Sequence, residues 1–332
     1  MAKIRILSLD GGGIRGIIPG KILTILEEKI REKTGDKNKN IADCFDIIAG
    51  TSTGGILATG LLCPDENGKA KFSAKDMLNL YMSRGEEIFD ISLWQKFKSG
   101  GGVTDEKYDN RNLREALEDY FGDTKLSELL KPSLITAYNI RDRKTEFFNQ
   151  MDAKADDNKD FFARDVALAT AAAPTYFECV RIKSMTNIPK ILIDGGIFAN
   201  NPALCAYSEV RNEFPDHPSA KDMVMLSIGT GYEKDPYYYQ NAKDWGLIEW
   251  AKPLLGIMMS GVSETINFQL RQIFDTIENP EQYLRIDGDL KFANPAMDDA
   301  SKENMLKLEE DAATIAGEYN DKLDKFVDIL CS

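Results

Sequence analysis

Histidine is nearly missing from this chain: its 332 residues include one, His217. A single imidazole beside unpaired cysteines cannot assemble the usual ligand set of a zinc site. The five cysteines, Cys44, Cys63, Cys179, Cys205 and Cys331, are odd in number and lack any C-x-x-C spacing. They read as buried free thiols in a reducing compartment, not as a disulfide framework. No run reaches the roughly 18 apolar residues of a membrane-spanning helix, and the apolar part of the N-terminus is too short for a secretory signal. Positive charge is also scarce, with 41 Lys+Arg against 54 Asp+Glu and a formal charge of −13. That balance repels a phosphate backbone and weighs against a nucleic-acid binder. It weighs against anionic membranes too, but leaves an uncharged patch free to dip into lipid. The expectation is a soluble, cytoplasmic protein, peripheral at a membrane surface at most, with no cofactor and no metal.

What is present is ordinary globular composition, 43% hydrophobic and 29% charged. At roughly 150 residues per domain the length suggests about two domains, although one large α/β domain fits as well. The runs Ile4–Leu9, Asp46–Gly50, Ser133–Ile140, Lys190–Ile193 and Met223–Ile228 predict buried strands. Between them, helical spacing runs from Ile14 to Ile30, with Gly35 as a stop signal, and again over Gly54–Leu62, Asp165–Ala173 and Pro202–Arg211. Strands alternating with helices predict an α/β fold around a largely parallel sheet. The stretch Ser301–Leu330 has helical spacing and a charged face. We read residues 1–332 as one domain, with a motif-bearing core over about 3–231 and a C-terminal helical and strand extension, 232–332, packed on the same core.

Gly50-Thr51-Ser52-Thr53-Gly54 fits G-x-S-x-G in the required setting, with a buried strand entering and an apolar helix leaving. Such a turn holds a serine hydroxyl out at the sheet edge as a nucleophile, and the glycines let strand and helix approach. Asp10-Gly11-Gly12-Gly13-Ile14-Arg15-Gly16 ends the first strand and opens a helix, so its backbone N–H groups face an anion site reinforced by the helix dipole. Glycines 11, 13 and 16 also satisfy the dinucleotide pattern G-x-G-x-x-G. That reading wants an acid at a strand end about 20 residues on, where the chain has the polar loop Lys33–Asn40. The phosphate-loop pattern fails as well, since Ile22 follows Gly20-Lys21. The glycine turn therefore reads as an oxyanion hole in which Gly11, Gly12 and Gly13 receive the charge formed when Ser52 attacks a carbonyl. Arg15 is placed to support that loop or to hold an anionic head group.

Two groups compete as the base. His217 lies in the proline-bracketed loop Phe214–Pro218, and the order Ser, Asp, His would match a triad. Asp194 ends the apolar strand Lys190–Ile193 beside Gly195 and Gly196. Its bland reading is an Asp-Gly turn. Its functional reading is a carboxylate whose burial raises its proton affinity enough to take the serine proton and return it to a leaving alcohol.

DGGGIRG, GTSTG and DGG, each at a strand end and in that order, resemble the patatin-like phospholipase family. Ala167–Phe177 and Leu226–Gly231 resemble further blocks of it, so the likeness spans roughly Lys3–Gly231, with Tyr283–Asp287 similar beyond. The resemblance implies a three-layer α/β/α fold and a metal-independent Ser–Asp dyad without catalytic histidine. By position, Ser52 is then the nucleophile and Asp194 the general base and acid. Gly11–Gly13 would form the oxyanion hole supported by Arg15, and the substrate would be an acyl ester of a phospholipid or lysophospholipid. Gly196 departs from relatives that carry alanine there.

Two segments suit an acyl chain or an interface. Leu93–Phe97, beside the loop Lys98–Val103, reads as a lid. Trp245–Val262 is the most apolar stretch and reads as core packing or as an interfacial face. The acidic stretches Asp152–Asp160, Asp287–Asp289 and Asp298–Asp299 lack the calcium-loop pattern and read as solvated surface. The competing functions are a nucleotide-binding module built on the glycine turn, or a catalytically silent storage or interaction protein on the same fold.

Overall fold

A computed structural model describes residues 3–88, 110–233 and 236–331. In chain order the strands are β1 (Ile4–Leu9), β2 (Ile47–Thr51), β3 (Ser133–Asn139), β4 (Lys144–Asn149), β5 (Val180–Lys183), β6 (Pro189–Asp194), β7 (Met223–Ile228) and β8 (Tyr283–Ile286). They form one sheet in the order β5-β6-β3-β2-β1-β7-β8, with β4 also on β3. Pairing is parallel from β3 through β2, β1 and β7 to β8, and antiparallel where β4, β5 and β6 join.

The central strands read as unbroken apolar runs because helices cover both faces of the sheet. Leu7 and Leu9 of β1 join the larger apolar cluster with Ile22, Leu26 and Leu57 from the helices Ile17–Thr34 and Thr53–Leu61. Ile6, the residue before Leu7, faces the other way onto Ala206 and Val210 of the helix Ala203–Glu213 and Phe274 of the long helix Leu247–Phe274. The result is three layers, α/β/α. The C-terminal helices Lys302–Glu318 and Asn320–Cys331 bring Met305, Leu308 and Phe326 into the larger cluster. Gly35 ends the helix Ile17–Thr34 in the left-handed region, at φ 68°, as a C-terminal cap does.

The strands β4, β5 and β8 carry no apolar run long enough to announce them: β4 is half exposed, and β5 and β8 have four residues each. Only Cys44 and Cys63 are buried; Cys205 is half-buried, while Cys179 and Cys331 are exposed, which corrects the expectation of five buried thiols. Among the described residues no helix is long and apolar enough to cross a membrane.

One detail of the sheet positions the site. Thr51, the last residue of β2, pairs with Thr136 of β3, and Asp194, the last residue of β6, pairs with the next residue, Ala137. Because β4 occupies the other edge of β3 from Leu134 to Asn139, β2 and β6 must share one edge. They meet there end to end from opposite directions. The residue after Thr51 and the residue at the end of β6 are thereby brought face to face.

Candidate active site

Ser52 leaves β2 at φ 54° and ψ −125°, a conformation that a residue with a side chain adopts only under constraint. The constraint is visible in its neighbours. A Cβ on Gly50 would collide with the carbonyl of Gly54, and one on Gly54 with the carbonyl of Leu9. Bare glycines therefore let the helix Thr53–Leu61 start directly against the strand ends. Thr170 fixes the turn by accepting the Ser52 N–H at 2.8 Å. The first N–H groups of this helix have no intrahelical acceptor and add positive potential at the serine.

Asp194 is buried, and its carboxylate faces the same pocket as the Ser52 hydroxyl. Its Oδ1 also accepts the N–H of Gly196 at 2.6 Å, and its own N–H donates to Ala172 at 2.9 Å. Burial pushes this carboxyl up from 3.8 to about 7, with the Ser52 hydroxyl and the Gly196 N–H opposing the rise. No cation lies among the causes of the shift. Below, Thr51 and Thr136 share a hydrogen bond of 2.7 Å, and Thr51 Oγ1 donates to the Ala199 carbonyl at 2.6 Å, tying the two strand ends together. A methyl on Gly196, the alanine of the resemblance, would stand 3.1 Å from Asp194 Oδ1, a tight fit.

The glycine turn crosses above Ser52, with the Cβ position of Gly11 only 3.1 Å from Ser52 Cβ. Its donors are not equivalent. The N–H of Gly11 already donates to the Asn200 carbonyl at 3.0 Å, so Gly11 leaves the expected set of oxyanion donors and instead anchors the loop. Among the described residues no acceptor engages the N–H of Gly12 or Gly13. Arg15 donates to the carbonyls of Gly12 at 3.4 Å and Gly231 at 3.3 Å.

Ser52 and Asp194 open into a narrow pocket whose walls are almost wholly apolar: Ile56, Leu117, Phe177, Leu255 and Met259. The stretch Trp245–Val262 is two-sided. Leu255 and Met259 face the cavity, while Trp250, Leu254, Ile257 and Met258 are exposed on the other side of the long helix. The lid expected at Leu93–Phe97 lies outside the described residues. His217 is exposed, with Nδ1 3.0 Å from the Arg211 carbonyl. It precedes β7 and so lies at the N-terminal end of that strand, whereas Ser52 follows the C-terminal ends of the parallel strands; the structure does not bring it to the serine.

Three acidic residues expected on the solvated surface are instead structural. Asp160 is buried against Ser127, at 3.0 Å from its N–H and 2.7 Å from its hydroxyl. Asp298 is buried, and Asp287 pairs with Arg285 at 2.7 Å. The reason is that an aspartate beside a turn satisfies backbone N–H groups that water cannot reach. Sequence reasoning also missed Thr136, Thr170, Asn200 and Thr230 around the site. The one signal was Arg285, a charge inside the apolar strand Tyr283–Ile286.

Residues 7–207 match the patatin-like phospholipase family. The chain is similar to patatin-like protein 2 of Oryza sativa subsp. indica, 33% identical with 92% of this chain and 82% of that protein aligned. It is likewise similar to patatin-like protein 2 of Arabidopsis thaliana, 34% identical over 91% of this chain and 80% of the other. The probable inactive patatin-3-Kuras 1 of Solanum tuberosum is 30% identical over 92% and 84%.

Proposed function

Because this chain belongs to the patatin-like phospholipase family, at family level a lipid acyl hydrolase, we propose that it is itself an active serine acyl hydrolase of phospholipase A or lysophospholipase type. Membership alone does not decide activity, since one similar protein carries the name inactive. The observation that carries the reading is the meeting of buried Ser52 and Asp194 in one apolar pocket, beside unengaged N–H groups.

In this mechanism Ser52 Oγ attacks the ester carbonyl carbon as its proton passes to Asp194. The oxygen that takes up the negative charge sits against the N–H groups of Gly12 and Gly13. As the tetrahedral adduct collapses, the ester C–O bond breaks and the leaving alkoxide takes the proton from Asp194, leaving acyl-Ser52. Water then attacks the acyl carbon, its proton going to Asp194. Collapse releases the fatty acid and returns that proton to Ser52 Oγ. A carboxyl near 7 suits both halves at neutral pH, because a base poised near the working pH can accept and return a proton.

The lipid reaches this cavity from a membrane or micelle surface. Leu247, Trp250, Leu254, Ile257 and Met258 are exposed at the three- and four-residue steps of one helix face, with Phe268 about three turns further on. The inner side of the same helix walls the cavity. With a formal charge of −13 the chain suits a neutral or zwitterionic surface. We place it in the cytoplasm and read residues 1–332 as one catalytic domain.

The test is hydrolysis of a short p-nitrophenyl ester by purified protein. Ser52→Ala and Asp194→Asn abolish it, and His217→Ala keeps it; a folded His217 variant without activity would restore the triad. Turnover that survives Ser52→Ala would remove the reading altogether. Defined phospholipids then identify the acyl position cut.

A further inference from the structure

The glycine turn begins at Asp10, and the carboxylate of that residue is buried. It is gripped in a two-pronged ion pair by Arg285 of β8, Nη1 to Oδ1 at 2.8 Å and Nη2 to Oδ2 at 2.7 Å. The same guanidinium donates to Ser227 Oγ of β7 at 2.8 Å and to Asp287 Oδ2 at 2.7 Å. Asp287 in turn accepts the N–H of Gly231 at 3.0 Å. Gly231, at φ 76°, closes the turn after β7, and in that turn Thr230 donates its hydroxyl to the Gly11 carbonyl at 3.0 Å. One side chain thus ties together both strand-end turns that frame the donors of Gly12 and Gly13.

Stability alone gives little reason for this arrangement, since well-packed apolar residues often serve a fold as well as a buried ion pair. Direction is what a guanidinium adds. Its planar N–H groups fix two carboxylates at once, and a lysine ammonium would hold them only as a point charge. Charge is the second reason. Two carboxylates just behind an oxyanion site, Asp10 buried and Asp287 half-buried, would oppose the charge forming there, and Arg285 offsets that field. Placement matters because oxyanion donors misplaced by about 1 Å can forfeit on the order of a hundredfold in rate.

We propose that Arg285 is a positioning residue for the oxyanion turn, clamping Asp10 and Asp287 so that the N–H groups of Gly12 and Gly13 stay aimed at the carbonyl that Ser52 attacks. The inference rests on the acyl-hydrolase reading. It also assigns work to β8, which lies beyond the matched stretch 7–207.

The experiment compares Arg285→Lys with Phe326→Leu, a change buried in the distant C-terminal helix, at a temperature where circular dichroism finds both folded. With p-nitrophenyl butyrate, kcat of Arg285→Lys falls about tenfold or more while KM stays within about twofold, the split expected when only the transition state is affected. Labelling of Ser52 by a fluorophosphonate slows in parallel, because its phosphonyl oxygen uses the same donors. Phe326→Leu keeps its kcat. Asp287→Asn, which leaves the Asp10 fork in place, loses about threefold in kcat and decides the matter if Arg285→Lys does not fold. A kcat within about twofold of the control, in Arg285→Lys or failing that in Asp287→Asn, overturns the proposal. Absence of ester turnover in the unmodified protein would instead overturn the acyl-hydrolase reading.

Discussion

Removing the charge of Asp194 should abolish activity and stabilise the protein, and both effects follow from one property. The carboxyl is buried, and burial raises it from 3.8 to about 7. In the unfolded chain it ionises near its ordinary value. Below about pH 4 both states hold the proton and the group contributes no pH dependence. Between about pH 4 and 7 the unfolded chain has released a proton that the folded protein retains, so stability falls as pH rises. Above about 7 both states are ionised and the loss is complete, on the order of 4 kcal/mol for a shift of this size. Asp194→Asn keeps the shape, accepts the Gly196 N–H and carries no titrating group. Urea unfolding of the protein and of this variant should therefore give similar stabilities near pH 4. At pH 8 the variant should be more stable by a few kcal/mol, with most of the gap opening between pH 5 and 7. The same proton sets the rate, because only the carboxylate can accept from Ser52. The kcat/KM for a soluble ester should rise about tenfold per pH unit up to near 7 and level off above. A stability gap that does not change from pH 5 to 8, or an activity profile already flat at pH 5, would refute this account of Asp194.

Three further outcomes follow from the geometry. Gly12→Ala should lower kcat by about a hundredfold with KM little changed, because its methyl meets Thr230 and turns a free N–H away from the oxyanion; an undiminished kcat would remove Gly12 from the donor set. Met259→Trp should fill part of the acyl cavity and shift preference toward shorter chains, read from kcat/KM across a series of p-nitrophenyl esters. The pair Leu254→Glu and Ile257→Glu, on the exposed side of the long helix, should lower sedimentation with phosphatidylcholine vesicles and hydrolysis of vesicle lipid about tenfold or more, while a soluble ester is cleaved as before. Unchanged vesicle binding would show that this face does not meet lipid.

The sequence by itself determined most of the central sheet and marked the candidate residues at its strand ends. Apolar runs long enough to span a covered sheet, such as Met223–Ile228, coincide with β7 residue for residue. Others shift by one position, as Asp46–Gly50 does against Ile47–Thr51. Ser52, Asp194 and the glycine turn were legible because tight turns at strand ends demand particular residues, and local sterics write those residues into the chain. His217 was legible as a doubtful base for the same local reason, its loop being polar and bracketed by prolines. What only the tertiary structure decided is everything that depends on two distant segments meeting. The end-to-end meeting of β2 and β6 along β3 puts Asp194 beside Ser52, and no local pattern encodes that register. Which glycine N–H remains unengaged depends on Asn200, 189 residues further along the chain. The short strand β8 gave no periodic signal, yet its arginine reaches Asp10 across 275 residues. Periodicity records which face of a segment is buried; the partner found there is set by the packing of the whole chain.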